Sequence, residues 1–149
     1  MSAATARIPA PYAVPGAAGL LPFVAGAAAA WLGPAADRSV VLYWLAAYAA
    51  VILAFVGALH WGAAMMAAAA PRRDQWLASL WSVTPALVAW TALQLPTRTG
   101  LAVMAGTFVL QYAMDRRLAR RHAVPEWFLP LRLRLTAVVV LCLGVAAAA

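Results

Sequence analysis

Long apolar runs separated by short charged or proline-containing gaps dominate this chain. A helix that crosses the roughly 30 Å hydrocarbon core of a bilayer needs about 20 mainly apolar residues. Five runs approach that length, at residues 16–36, 40–70, 75–95, 99–114 and 131–149; the second is long and the fourth is short. The pattern predicts an all-α fold: one integral membrane domain over 1–149, a polytopic bundle of five transmembrane helices with an interfacial basic loop at 115–130.

The first run has an alternative interpretation as a secretory signal peptide, because Arg7 precedes it and small residues end it. Its length and the three prolines before it, Pro9, Pro11 and Pro15, favour a membrane span instead.

Composition excludes the other broad classes. Hydrophobic residues make up 66% of the 149 residues and charged residues only 10%, whereas a soluble domain carries about 25% charged residues. Too little polar surface is present to cover a soluble globule, and the apolar content is too high for a disordered chain. We therefore expect an integral membrane protein.

The basic residues are all arginines and lie in the gaps between runs, which indicates membrane topology rather than nucleic-acid binding for the net charge of +7. With five spans, Arg38 and Arg98 share one side and the other nine share the opposite side, namely Arg7, Arg72, Arg73, Arg116, Arg117, Arg120, Arg121, Arg132 and Arg134. The positive-inside rule then predicts a multi-pass protein with a cytoplasmic N-terminus and a C-terminus outside, which is a periplasmic C-terminus in a bacterial inner membrane.

Small residues recur every four positions along the second run. This ridge consists of Ala46, Ala50, Ala54, Ala58 and Gly62, with Gly57 beside it. Small side chains let helix backbones approach closely in lipid, where hydrophobic association contributes little. The ridge predicts a helix-packing surface, either within the chain or with a partner protein.

His60 is a titratable side chain inside a predicted span, and such residues are candidates for function. His60 precedes the turn near Arg73 by about as many residues as Pro85 follows it. In an antiparallel pair of helices the two residues are therefore predicted to lie at one depth in the bilayer. Because Pro85 frees the carbonyl of Trp81, we expect a polar cluster of His60, Ser82, Thr84 and that carbonyl. Two interpretations remain open: a structural tie between helices, or a site that contacts a proton, haem or quinone.

The predicted basic loop combines cations and anions. Asp115 and Glu126 are expected to form ion pairs with Arg116, Arg117, Arg120, Arg121, Arg132 and Arg134, in competition with anionic lipid phosphates at the inner face. Docking of an acidic partner surface is the alternative. We predict no cofactor and no metal site, since Cys142 is a single cysteine and the second histidine, His122, lies in the loop.

Five segments carry a resemblance to a known family: GLLPF at 19–23, the run from 47 to 62 that ends in HWG, WSVTPALVAW at 81–90, the Asp115 region and PEWFLPLRLRLT at 125–136. The chain resembles small bacterial membrane proteins of a domain of unknown function, which are similar to a mitochondrial transmembrane protein of eukaryotes. The resemblance implies a multispan inner-membrane protein without an established activity, and it places His60, Pro85, Asp115 and Arg132 in the family's characteristic segments.

Three functional hypotheses follow. The sequence contains no ligand-spaced carboxylate pair, metal motif, nucleophile elbow or phosphate loop. The first hypothesis is therefore a non-enzymatic accessory subunit or assembly factor of a larger, energy-transducing membrane complex. The second is a small transporter or proton-conducting protein with a mid-membrane site at His60. The third is a haem- or quinone-binding membrane protein. The expected partners are the lipid bilayer and a protein complex, and not nucleic acid.

Overall fold

The structure is a computed structural model, described here for residues 8–67, 70–121 and 124–149. Arg7 and His122 lie outside these ranges. The described residues form helices and no strand: α1 (Ala10–Ala18), α2 (Leu21–Leu32), a short 3₁₀ turn (Ala35–Asp37), α3 (Arg38–Met66), α4 (Arg72–Ala92), α5 (Thr97–Arg121) and α6 (Phe128–Ala147). The all-α prediction is therefore confirmed for these residues.

The first predicted span is two helices rather than one. A short break at Gly19 and Leu20 separates α1 from α2. Pro22 lies at the start of α2, where its missing N–H and its ring prevent the helical bonding from continuing unbroken. The Tyr48 hydroxyl donates a hydrogen bond of 3.0 Å to the carbonyl of Gly19 at this break, so α3 is bonded to the residues that join α1 and α2.

The long helices close into a bundle around α3. Helix α3 packs against α2, α4 and α5, while α6 packs against α5 and returns to α2. Two edge-to-face contacts of Phe23, with Tyr48 and with Phe108, join α2, α3 and α5 in the interior. The core towards the end of the bundle near Arg38 is apolar.

The outer surface of the bundle is apolar, and several polar residues lie inside it. Large side chains such as Trp44, Phe55, Trp76 and Trp90 are more than half exposed. Buried polar residues are His60, Ser82, Thr107, Gln111, Asp115, Arg132 and Thr136. This distribution suits a lipid-facing exterior, since paired polar groups inside a bundle and apolar groups outside it avoid polar contact with hydrocarbon.

Three helix boundaries differ clearly from the prediction. Helix α5 runs on to Arg121 instead of ending at residue 114, and α6 begins at Phe128. The expected loop at 115–130 is therefore mostly helical. Helix α3 ends at Met66, short of the predicted 70. The helix that contains the fourth predicted span, α5, has 25 residues and is about 37 Å long.

Three helical segments among the described residues are long and apolar enough to cross a membrane, namely Ala10–Leu32, Ala35–Met66 and Phe128–Ala147. Helices α4 and α5 have sufficient length, at 21 and 25 residues, but contain more polar residues. Five crossings and the orientation of the termini stay predictions.

Candidate functional site: a buried charged network joining four helices

Asp115 is the centre of the buried polar network. Its Oδ1 accepts a hydrogen bond of 2.9 Å from Nε2 of His60, and its Oδ2 accepts one of 2.7 Å from Nε of Arg132. All three residues are at least nine-tenths buried. Because a carboxylate only accepts, the His60 ring must carry its proton on Nε2 in this contact. The arginine supplies the counter-charge that lets a carboxylate lie inside the bundle.

Gln111 extends the network to a fourth helix. Its Nε2 donates to Asp115 Oδ1 at 3.0 Å and to the carbonyl of Val56 at 3.3 Å. Its Oε1 accepts a hydrogen bond of 2.9 Å from Nε1 of Trp81. The indole can only donate, so the amide orientation is fixed by its neighbours. The network therefore joins α3, α4, α5 and α6 by directional bonds.

The network lies near the arginine-rich end of the bundle, which we define as the end where α4 and α6 begin and α5 terminates. His60 is six residues from the end of α3, and Asp115 is six residues from the end of α5. At 1.5 Å per residue, both are about 9 Å from their helix ends. The mid-membrane depth of His60 stays a prediction, because these distances refer to the helix ends.

The predicted hydroxyl cluster around His60 does not form. Ser82 donates to the carbonyl of Ser79 at 2.6 Å, and Thr84 donates to the carbonyl of Leu80 at 2.9 Å. Both hydroxyls thus bond to their own helix, a common alternative for Ser and Thr in helices. His60 bonds to Asp115, a carboxylate that the prediction had placed in a loop.

Pro85 is buried and packs against α3 one turn away from His60. A Cβ atom added at Gly57 would lie 2.6 Å from the carbonyl oxygen of Ser82 and 3.3 Å from Cγ of Pro85. Gly57 therefore permits the close approach of α3 and α4 at this level. The estimate of the Pro85 depth from the sequence was off by about one helical turn.

The predicted small-residue ridge is divided between the interior and the outer surface. Ala46 and Gly57 are buried, Ala50 and Ala54 are half-buried, and Ala58 and Gly62 are exposed. A four-residue repeat drifts around a helix with 3.6 residues per turn, so its last members leave the packed face. No atom lies within 4 Å of a Cβ added at Gly62.

The predicted loop residues fall into two groups. Asp115 and Arg132 are buried in the network, whereas Arg116, Arg117, Arg120, Arg121, Glu126 and Arg134 are exposed. Arg121 forms its ion pair with Asp74 of α4, at 2.6 Å, rather than with Asp115 or Glu126. Asp115 and Arg132 form an ion pair, as expected, but Asp115 lies on the buried face of a helix and not in a loop, because α5 continues through it.

Two cavities flank the network. The larger, of about 300 Å³, lies between α4 and α5, with Arg117 and Arg121 at its edge and His60 in its wall. The smaller, of about 110 Å³, lies among α1, α3 and α6 and is lined by Arg132 and Thr136 together with mostly apolar residues. Within the described residues, no group of three or more His, Cys, Asp or Glu side chains is placed to hold a metal ion.

Sequence reasoning missed Gln111, Asp74 and the indole of Trp81 as members of polar contacts. A signal for Gln111 existed, because the buried face of α5 recurs at Met104, Phe108, Gln111, Asp115 and Leu118 with helical spacing. Following that periodicity past residue 114 would have placed Gln111 and Asp115 on the inward face. Asp74 has no comparable signal, since its partner lies 47 residues away.

Comparison with known proteins agrees with the resemblance seen in the sequence. The chain is 34% identical over 135 residues to Transmembrane protein 69 of Xenopus tropicalis, an alignment that covers 91% of this chain and 53% of the relative. It thus spans about half the length of that relative. No solved structure matches. A family model described as "Protein of unknown function (DUF3429)" matches residues 8–148. The chain is therefore a membrane protein that belongs to the DUF3429 family.

Proposed function

We propose that this chain is a non-enzymatic, multi-pass accessory subunit or assembly factor of a larger complex in a bacterial inner membrane. The polar side chains of the interior are engaged mainly in joining α3, α4, α5 and α6 to one another. Contacts with a partner would then come from the outer faces of the helices and from the arginine-rich end.

The observation that carries this proposal is the exposed end of the ridge on α3. Ala58 and Gly62 are open on the outer surface, and a Cβ at Gly62 would meet no atom of the described chain. Trp61 and Met65 beside them are also more than half exposed. Small residues on a lipid-facing helix give a second helix access to the backbone, so this surface suits a transmembrane helix of a partner.

The arginine-rich end provides a second contact region. Arg116, Arg117, Arg120 and Arg134 are exposed, and no ion pair to these four exists within the described residues. Exposed arginines next to a membrane attract anionic headgroups or an acidic protein surface. Both kinds of contact would fix the depth of the chain beside a larger complex.

The test is extraction of the protein from its native membrane in mild detergent, followed by native electrophoresis and mass spectrometry of the bands. We expect the wild-type chain to migrate with a larger complex. Gly62→Leu should release it, because the added side chain blocks approach to α3. Gly144→Leu is the matched control, since Gly144 is also exposed with no atom near its Cβ position.

Migration of the wild-type chain only as a monomer or homo-oligomer would contradict the accessory role. Equal loss of the complex in Gly62→Leu and Gly144→Leu would contradict the assignment of the surface on α3.

The second candidate function is transport or proton conduction, favoured by the cavity of about 300 Å³ that reaches His60 from the arginine-rich end. Beyond the network, however, the interior contains Leu53, Met104 and Phe108, and the nearby Thr107 hydroxyl bonds to its own helix. Proton flux into liposomes tests this candidate. If this candidate is right, the wild-type protein conducts protons and Ala78→Leu lowers the flux. That substitution narrows the cavity and leaves Asp115 unchanged.

A further inference from the structure

Two residues that line the smaller cavity each have a buried polar atom that the rest of the described chain does not satisfy. Nη2 of Arg132 and Oγ1 of Thr136 have no hydrogen-bond partner, and their residues are 7% and 6% exposed. Buried polar atoms without a partner are uncommon because each has lost its bonds to water. Both residues line the cavity and, four positions apart, lie on one face of α6.

The remaining wall of this cavity is apolar and reaches the outer surface of the bundle. Phe23, Val56 and Phe108 form its inner side, and Phe55, which is 64% exposed, forms part of its edge. Gly16 also lines the cavity, and it packs closely against α6, since a Cβ added there would lie 3.3 Å from Cδ1 of Leu135. An occupant therefore enters from lipid rather than from water.

The charges of Arg132 and Asp115 determine which kind of polar group fits the cavity. The positive charge of Arg132 is already balanced by Asp115 through Nε, while Nη2 retains its capacity to donate. A neutral oxygen acceptor needs no further counter-charge in this position. Arg132 is also only four residues from the start of α6, or about 6 Å along the helix. For a helix that enters the hydrocarbon core at its first residue, this distance is close to the edge of the core, where the ester groups of a lipid leaflet lie.

We propose that the cavity between α1, α3 and α6 is a lipid-binding site, in which Arg132 Nη2 and Thr136 Oγ1 donate hydrogen bonds to the ester carbonyl of an acyl chain. The volume of about 110 Å³ accommodates the carbonyl and the first carbons of the chain, and the remainder of the chain follows the groove beside Phe55. The site is separate from the large cavity at His60 and from the exposed ridge on α3.

The experiment uses the full chain in phosphatidylethanolamine and phosphatidylglycerol vesicles that contain a photo-crosslinking phospholipid, with its diazirine close to the ester carbonyl. Mass spectrometry then locates the labelled peptides. We expect labelling concentrated at the residues around the cavity. An ether-linked analogue, which has the same chain but lacks the carbonyl, should label these peptides about five- to 150-fold less, the range for loss of two hydrogen bonds.

Thr136→Val removes the hydroxyl and retains the shape of the side chain. It should lower the preference for the ester over the ether lipid by about two- to tenfold, the range for loss of one hydrogen bond, and leave the part that Arg132 contributes. The unfolding temperature in lipid-depleted detergent should stay equal or rise, because the variant no longer buries an unsatisfied hydroxyl. Thr107→Val is the matched control: Thr107 is equally buried, but its hydroxyl bonds to the carbonyl of Val103 and does not line the cavity.

Competition with unlabelled compounds distinguishes two sources of a carbonyl. Phospholipid should displace the label, whereas displacement only by a short-chain quinone would overturn the lipid assignment in favour of a quinone. Uniform labelling of all outer helix faces, or an unchanged ester preference in Thr136→Val, would overturn the site itself and leave water as the partner of both atoms.

Discussion

Asp115 accepts three hydrogen bonds from three side chains: His60, Gln111 and Arg132. Because hydrogen bonds are directional, Asp115 constrains the relative positions of these helices as well as supplying a negative charge. Polar bonds between membrane helices average about 0.6 kcal/mol each, so the contacts would specify the register of the helices more than they would raise stability. Removal of one charged partner is different, because it leaves the other charge buried alone.

Replacement of Asp115 should therefore be much more costly than replacement of an exposed aspartate. Asp115→Asn leaves Arg132 without a counter-charge inside the bundle, and we expect a loss of about 3–5 kcal/mol in the free energy of unfolding. Asp74→Asn breaks the partly exposed pair with Arg121 and should cost about 0–1 kcal/mol. Reversible unfolding of both variants in mixed micelles, followed by tryptophan fluorescence, measures the difference. Equal losses would show that the buried pair is not a structural requirement.

At this scale the sequence predicted that His60 is buried and polar-bonded, but not to which residue. His60 is 55 positions from Asp115 along the chain, and nothing local specifies that contact. The prediction of this contact failed because α5 was expected to end at residue 114. An arginine-rich segment such as DRRLARR is typical of a loop at a membrane surface, yet Asp115 and Leu118 continue the buried face of the helix.

Among the elements, the pair of α3 and α4 makes a close backbone approach that depends on Gly57. Helix crossings in membranes rely on such small residues because van der Waals packing supplies much of the association energy. The sequence showed this residue within its small-residue pattern. It did not show where the pattern leaves the interior, since that depends on how α4 crosses α3.

A methyl group at Gly57 should push the two helices apart. Gly57→Ala would place its Cβ 2.6 Å from the Ser82 carbonyl oxygen, and we expect a destabilisation of about 1–3 kcal/mol from overpacking. The thermal unfolding midpoint in detergent measures it. Gly62→Ala is the control: it meets no atom within 4 Å and should be neutral or stabilise by up to about 1 kcal/mol, as alanine does in helices. A neutral Gly57→Ala would contradict the close contact.

For the molecule as a whole, the two ends of the bundle differ in character. Arg38 lies at one end, where it donates to the carbonyls of Ala30 and Ala149. The exposed arginines of α5 and the pair of Asp74 with Arg121 lie at the other. Alternating helix directions produce this separation, which is the basis of the predicted orientation.

The number of crossings depends on α4 and α5, because only three segments of the described chain qualify by length and apolar composition.

If the chain crosses the membrane five times, the turn between α4 and α5 lies outside. If it crosses three times, this turn lies on the cytoplasmic side. Helix α4, at 21 residues, is about 31 Å long and exposes Trp76, Leu87 and Trp90 along its length, so we expect it to cross. A cysteine at the exposed Gln94, in a Cys142→Ala background, should then react with a membrane-impermeant maleimide added outside intact spheroplasts. Ala36→Cys should react from outside with either topology, and Glu126→Cys should react only after permeabilisation. Protection of the cysteine at position 94 until permeabilisation would place α4 and α5 on the cytoplasmic side and leave three crossings.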